Sequence, residues 1–188
     1  LECHLENQGV ASPSCVYGGK DLGAILIGDS HGNAVISAMA AAVSDPGKGV
    51  MQWTYAACPF LYGGSPAPGF WPAETKSHEG GKFIAWATKK LDETPRNIPV
   101  VIVNRLTMYA VGGNEEADKS RAGVPLVFFS RIHTHATPEF LNEFAEKVIE
   151  SSCRLAKDRQ VYLVRPIPEM GVNVPRSARF TAWGRSNE

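Results

Sequence analysis

The chain has no surplus of charge of either sign: 19 Lys and Arg balance 19 Asp and Glu, and no long run of one sign occurs. Nothing therefore draws it electrostatically to nucleic acid or to a membrane surface, and nucleic acid is set aside as a partner. No apolar stretch approaches the roughly 20 residues that a membrane helix needs. The amino terminus lacks the charged-then-apolar profile of a signal peptide, so any export must be directed by something outside these residues. The four cysteines, Cys3, Cys15, Cys58 and Cys153, include no C-x-x-C pair. The usual zinc and thioredoxin patterns do not fit, and no metal is expected. There is no Gly-x-Ser-x-Gly elbow, so an ordinary α/β-hydrolase is excluded. No Gly-rich phosphate loop supports a nucleotide-binding domain. Internal repeats and low-complexity tracts are absent.

What is present suffices for one sizeable core: 188 residues, 44% of them hydrophobic, read as a single domain over 1–188. Residues 1–22 read as an amino-terminal arm with little core of its own. A Cys3–Cys15 disulfide closing its polar loop would contribute about 3 kcal/mol in an oxidising compartment. Cys58 and Cys153 are either two separate thiols or a second pair.

Buried strands are expected at Gly23 to Gly28, Val50 to Ala57, Pro99 to Val103 and Gln160 to Val164. Helices are expected between them. The first carries Ala34, Val35, Ala38, Met39 and Ala42 at helical spacing, and the second runs from about Glu79 to Leu91. The third starts at Thr137-Pro138, with Leu141, Phe144, Ala145, Val148, Ile149 and Ser152 on one face. This alternation predicts an α/β fold, with a parallel sheet covered on both faces. Between Pro59 and Pro72 lies a long loop with four prolines and three glycines around Phe60, Tyr62, Phe70 and Trp71. These aromatics either face a substrate or pin the loop to the core. Gly112 to Gly123 reads as a solvated excursion.

The most informative stretch is Gly23-Ala24-Ile25-Leu26-Ile27-Gly28-Asp29-Ser30-His31-Gly32-Asn33. An apolar run breaks at Gly-Asp-Ser and resumes with helical periodicity, which sets Ser30 at the carboxyl end of a strand and on the first turn of a helix. Ligands of open α/β sheets bind at that end. The N–H groups and positive dipole end of the new helix would favour an oxyanion. Asp29 or Ser30 would equally serve as a helix cap. Three strand ends converge on one sheet edge: Ser30, the Cys58 to Gly64 segment and Asn104. For acyl transfer, Ser30 would be the nucleophile. Its own N–H, the Asn104 side chain and a glycine near Gly63 or Gly64 would be oxyanion donors.

Gly28-Asp29-Ser30 after a strand resembles the first block of the SGNH (GDSL-type) hydrolases. Gly28-Asp29-Ser30-His31, Ala57-Cys58-Pro59 and Val161-Tyr162-Leu163-Val164-Arg165-Pro166-Ile167-Pro168-Glu169 together resemble the extracytoplasmic SGNH domain. In bacterial carbohydrate O-acetyltransferases that domain is fused behind a membrane acyltransferase-3 domain. The resemblance implies a three-layer α/β/α, flavodoxin-like sandwich on the periplasmic or extracytoplasmic face of the inner membrane. It implies a serine-dependent transfer of acetyl to a surface glycan such as lipopolysaccharide. It further implies no cofactor bound by this domain, with acetyl-CoA as ultimate donor through the membrane domain.

Two departures stand out. Val103-Asn104-Arg105-Leu106 replaces the family's usual Gly-x-Asn-Asp. No Asp is followed three residues later by His, so the family's Asp-x-x-His acid and base are missing from the 188 residues. A last strand and helix bearing that motif are expected to follow Glu188. The histidines present are poor substitutes. His31 adjoins Ser30 and points elsewhere, which suits a helix start or a substrate contact. His133-Thr134-His135 lacks a third ligand for a metal, His78 precedes a helix, and His4 carries no signal. Arg105 and Arg165, just past strand ends, would suit an acidic sugar or simple solvation. A stand-alone carbohydrate acetyl esterase and a catalytically silent glycan-binding module are the alternatives.

Overall fold

A computed structural model describes residues 3–6, 9–67, 79–113 and 122–167. In chain order the elements are β1 (His4–Leu5), β2 (Val16–Gly18), β3 (Asp21–Gly28), α1 (Ser30–Ala42), β4 (Lys48–Tyr55) and β5 (Ser65–Pro66). They continue with α2 (Gly80–Glu93), β6 (Val100–Val103), α3 (Leu106–Val111), β7 (Val127–Phe128), α4 (Pro138–Ala156) and β8 (Val161–Leu163).

The main sheet runs β1-β4-β3-β6-β8, parallel throughout, with β2 added antiparallel to β4. A small antiparallel pair, β5 with β7, stands apart. Strand alternation separates two cores. Ile25, Ile27, Trp53, Tyr55, Val100 and Ile102 face α2 (Phe83, Ile84, Ala87, Leu91) and Leu155 of α4. Leu26, Val50, Val101 and Val103 face Ile36 of α1. Each such fully buried aliphatic or aromatic side chain stabilises the fold by about 1.5–3 kcal/mol. The result is the three-layer α/β/α sandwich with a mostly parallel sheet that the alternation implied.

Several details differ from the sequence reading. The arm at 1–22 contains two short strands that pair with β4, and β3 already begins at Asp21. Four strands were visible because β1 and β2 are too short for a periodic signal. Cys3 and Cys15 are bridged, 6.0 Å apart at Cα. Cys58 and Cys153 are separate thiols, one buried and one exposed on α4, not a pair. On α1 the packed residues are Gly32, Val35, Ile36, Met39, Ala40 and Val43, whereas Ala34, Ala38 and Ala42 are exposed. Alanines carry too little area to decide a face against Ile36. On α4 the buried positions are Phe140, Phe144, Ser151 and Leu155, and Ile149 is 61% exposed. The two phenylalanines set the rotation, because they close a separate cluster with Leu61, Tyr109, Leu126 and Val127. Phe60 is buried and the Tyr62 ring packs under Arg154 at 4.3 Å, so these two loop aromatics pin the chain to the core. Phe70, Trp71, His78 and most of the Gly112 to Gly123 excursion lie outside the described residues, as do Pro168 and Glu169.

Candidate active site

The β3–α1 turn is built by close backbone approach. A Cβ at Gly28 would lie 1.8 Å from the Val103 carbonyl oxygen, and one at Gly32 would meet Leu26 and Thr54 side-chain carbons at 2.8 and 3.1 Å. Glycine at both positions lets the first turn of α1 sit directly on the sheet. Asp29 occupies the N-cap, and Ser30 follows as the exposed first residue of α1. The capping role that the sequence left open between two residues thus falls to Asp29.

Asp29 is wholly buried and its carboxylate is fully engaged. Oδ1 accepts from the His31 N–H at 2.8 Å, Oδ2 accepts from the Arg105 N–H at 2.7 Å, and the Tyr109 hydroxyl donates to the same group. Burial pushes the Asp29 carboxyl above the ordinary carboxylate value, against the lowering effect of those three donors. The Tyr109 phenol is driven well above its usual value, first by burial and then by the Asp29 charge, so it stays a neutral donor.

Asn104 follows β6 and is 3% exposed. Its Oδ1 accepts from the Phe60 N–H at 3.2 Å, which ties the loop after β4 to the end of β6. Oδ1 also lies 3.2 Å from where a Gly28 Cβ would be, so the amide runs alongside the Gly28-Asp29-Ser30 turn. Its Nδ2 is buried with no hydrogen-bond partner among the described residues. A buried donor left unmade costs about 1–3 kcal/mol, which makes Nδ2 a group awaiting an acceptor.

The glycines expected as further donors are Gly63 and Gly64. Gly63 is exposed in a left-handed conformation (φ 75°), and the Gly64 N–H donates to the Leu61 carbonyl at 3.3 Å. Gly64 does line a cleft of about 330 Å³, open mouth included, with Cys58, Pro59, Tyr109, Leu126 and the first turn of α2. Ala57, on its wall, holds φ 46°, a conformation uncommon outside glycine. Burial, then the Asp29 charge, pushes the Cys58 thiol far up, away from the thiolate that a cysteine nucleophile needs.

Among the described residues, no histidine side chain is hydrogen-bonded to Ser30. His31 is half-buried and gives its backbone N–H to Asp29. The His133 ring packs on Phe140, with centroids 5.1 Å apart, and accepts from Arg131 Nε, while His135 is exposed. Among the described residues no His, Cys, Asp and Glu cluster could hold a metal. The Arg105 guanidinium donates to Met108 Sδ at 3.0 Å, and Arg165 is exposed. One feature escaped the sequence reading. Under α1, Gln52 Nε2 donates to Asn33 Oδ1 and Thr54 Oγ1 at 2.8 and 2.6 Å, and His4 Nδ1 lies 3.0 Å from Thr54 Oγ1. The alternation of β4 places Gln52 and Thr54 on the face of Val50, which is the signal that would have found them.

A family model of the SGNH domain found fused to AT3 domains matches residues 2–188. The chain belongs to this SGNH family. No curated protein and no solved structure matches it. Family membership supports an esterase or acyltransferase type of activity and association with an AT3 membrane domain. That association suggests an extracytoplasmic place for an SGNH domain in which no described helix is long and apolar enough to cross a membrane.

Proposed function

We propose that this SGNH domain is the serine acyl-transfer module of a carbohydrate O-acetyltransferase, working in the periplasm beside its AT3 membrane domain. The observation that carries the reading is the unpartnered, buried Nδ2 of Asn104 alongside the Gly28-Asp29-Ser30 turn. In an acyl-transfer site such a donor meets the oxyanion of the tetrahedral intermediate. Ser30 Oγ attacks the acetyl carbonyl and gives its proton to a base. The carbonyl oxygen, now negative, is held by Asn104 Nδ2 and by the N–H of Ser30, one of the first-turn groups with no acceptor inside a helix. Collapse breaks the bond from the acetyl carbon to the donor's leaving group, which departs with the proton from the base, and the acetyl group stays on Ser30. A sugar hydroxyl then repeats the sequence in reverse and carries acetyl away. Acetyl-CoA is the ultimate source through the membrane domain, and this domain binds no cofactor of its own. The 188 residues contain no Asp-x-x-His, the motif that carries the base in the wider SGNH family. Water in place of the sugar gives an esterase.

Hydrolysis of para-nitrophenyl acetate tests the reading, in the 188-residue chain and in a longer form carrying flanking native sequence, each beside Ser30→Ala. Ser30-dependent turnover is expected in the longer form, with little in the shorter. Glycan binding that survives Ser30→Ala, with turnover in neither form, would replace the enzyme by a silent glycan-binding module. The missing Asp-x-x-His is what favours that second reading.

A further inference from the structure

One carboxylate holds both halves of the candidate site. Asp29 accepts from the N–H of His31, the residue after Ser30, and from the N–H of Arg105, the residue after Asn104 and 76 positions from Asp29 itself. Its two oxygens are thus fixed to the turn that carries the hydroxyl and to the turn that carries the unpartnered amide. The Asp29 N–H adds a third tie, donating to the Val103 carbonyl at 3.3 Å. A helix cap needs only the first of these bonds. The bond to Arg105 and the one from Tyr109 add nothing to α1 and instead join it to the turn after β6 and to α3.

We propose that Asp29 is a positioning residue that sets the separation of Ser30 and Asn104, with the Tyr109 hydroxyl holding the carboxylate in place. This deepens the reading of Ser30 as nucleophile and rests on it. Tetrahedral oxyanion and nucleophile must be met at fixed distances, and a misplacement near 1 Å costs about 100-fold in rate. Ionised Asp29 accepts all three bonds; protonated, it loses acceptor capacity and the tie between the turns loosens. The groups facing it are His31 from α1, Arg105 from the end of β6, Tyr109 from α3 and Cys58 from the loop after β4. Tyr109 and Cys58 stay neutral donors, so of these three groups it is Asp29 whose change of charge the tie feels.

The test uses Tyr109→Phe, which removes one donor and keeps the ring. In the 188-residue chain, NMR should show the Asp29 carboxyl carbon and the Arg105 and His31 amides titrating with one midpoint. That midpoint should lie above the usual carboxylate range and move to higher pH in Tyr109→Phe. Separate midpoints, or an Arg105 amide that does not respond, would overturn the tie whatever the enzyme does. In the longer form, Tyr109→Phe should lower kcat for para-nitrophenyl acetate about 10-fold to 100-fold, with KM nearly unchanged. The acid limb of the profile should shift upward with the NMR midpoint. Unchanged kcat and acid limb, beside a Ser30→Ala variant that is dead, would reduce Asp29 to a structural cap. If Ser30→Ala is silent while the common titration holds, the nucleophile reading and the positioning role fall together and the tie between the turns remains.

Discussion

At the residue scale the site depends on what each polar atom does when no substrate is bound. Asn104 has two separable jobs: Oδ1 anchors the Phe60 N–H, and Nδ2 is unpaired. Asn104→Ala is therefore expected to act on two measurements at once. Urea unfolding should lose about 1–3 kcal/mol, because the buried Phe60 N–H is left without an acceptor. Ser30-dependent turnover should fall about 100-fold to 1,000-fold, the usual loss for one oxyanion donor. A stability loss with unchanged turnover would leave Asn104 as a loop anchor only. The place of Ser30 just after a strand was legible because Gly-Asp-Ser interrupts an apolar run, and that of Asn104 because it ends one. The part played by Asp29 was only half legible. Its cap to His31 is local, but its bonds to Arg105 and Tyr109 depend on the pairing of β3 with β6, which no local pattern announces.

At the element scale, glycine has opposite meanings at two helical positions. A Cβ at Gly32 in the first turn of α1 would press on Leu26 and Thr54, whereas one at Gly81 in α2 would find nothing within 4 Å. Gly32→Ala should cost about 1–3 kcal/mol through overpacking. Gly81→Ala should stabilise by about 0.4–1 kcal/mol through the unfolded chain. Urea midpoints of the two variants would show the difference in sign, and destabilisation by both would mean that helix propensity does not govern α2 here. The buried strands were readable because both of their faces are covered, so the apolar run is continuous. Helix faces were read less well. In α1 small alanines blurred the stripe, and in α4 Phe144 and Val148 were read on the packed face, but Phe140 was missed while Leu141 and Ile149 face solvent. The helix α3, six residues long, is too short to show a period, yet it carries Tyr109 to Asp29.

At the scale of the whole molecule, the two borders of the sheet formed by the described residues differ. At one, the arm lays β1 and β2 along β4. At the other, β8 leaves Tyr162 and Leu163 exposed, followed by exposed Val164. The arm is held by more than its disulfide. Ser12 Oγ donates to the Gln52 carbonyl at 3.0 Å, the Gln52 N–H donates to the Cys15 carbonyl at 2.9 Å, and Trp53 Nε1 donates to Ser14 Oγ at 2.9 Å. These bonds form only in the folded chain, whereas the Cys3–Cys15 link, across 12 residues, also restricts the unfolded one. Cutting the link should therefore leave the native contacts in place and lower stability by about 3 kcal/mol through the entropy of the freed loop. Urea unfolding of the oxidised chain, the reduced chain and Cys15→Ser would measure this. Cys15→Ser should match the reduced protein and ignore added reductant. Three curves that coincide would show that the hydrogen bonds to β4, and not the bridge, secure this border of the sheet.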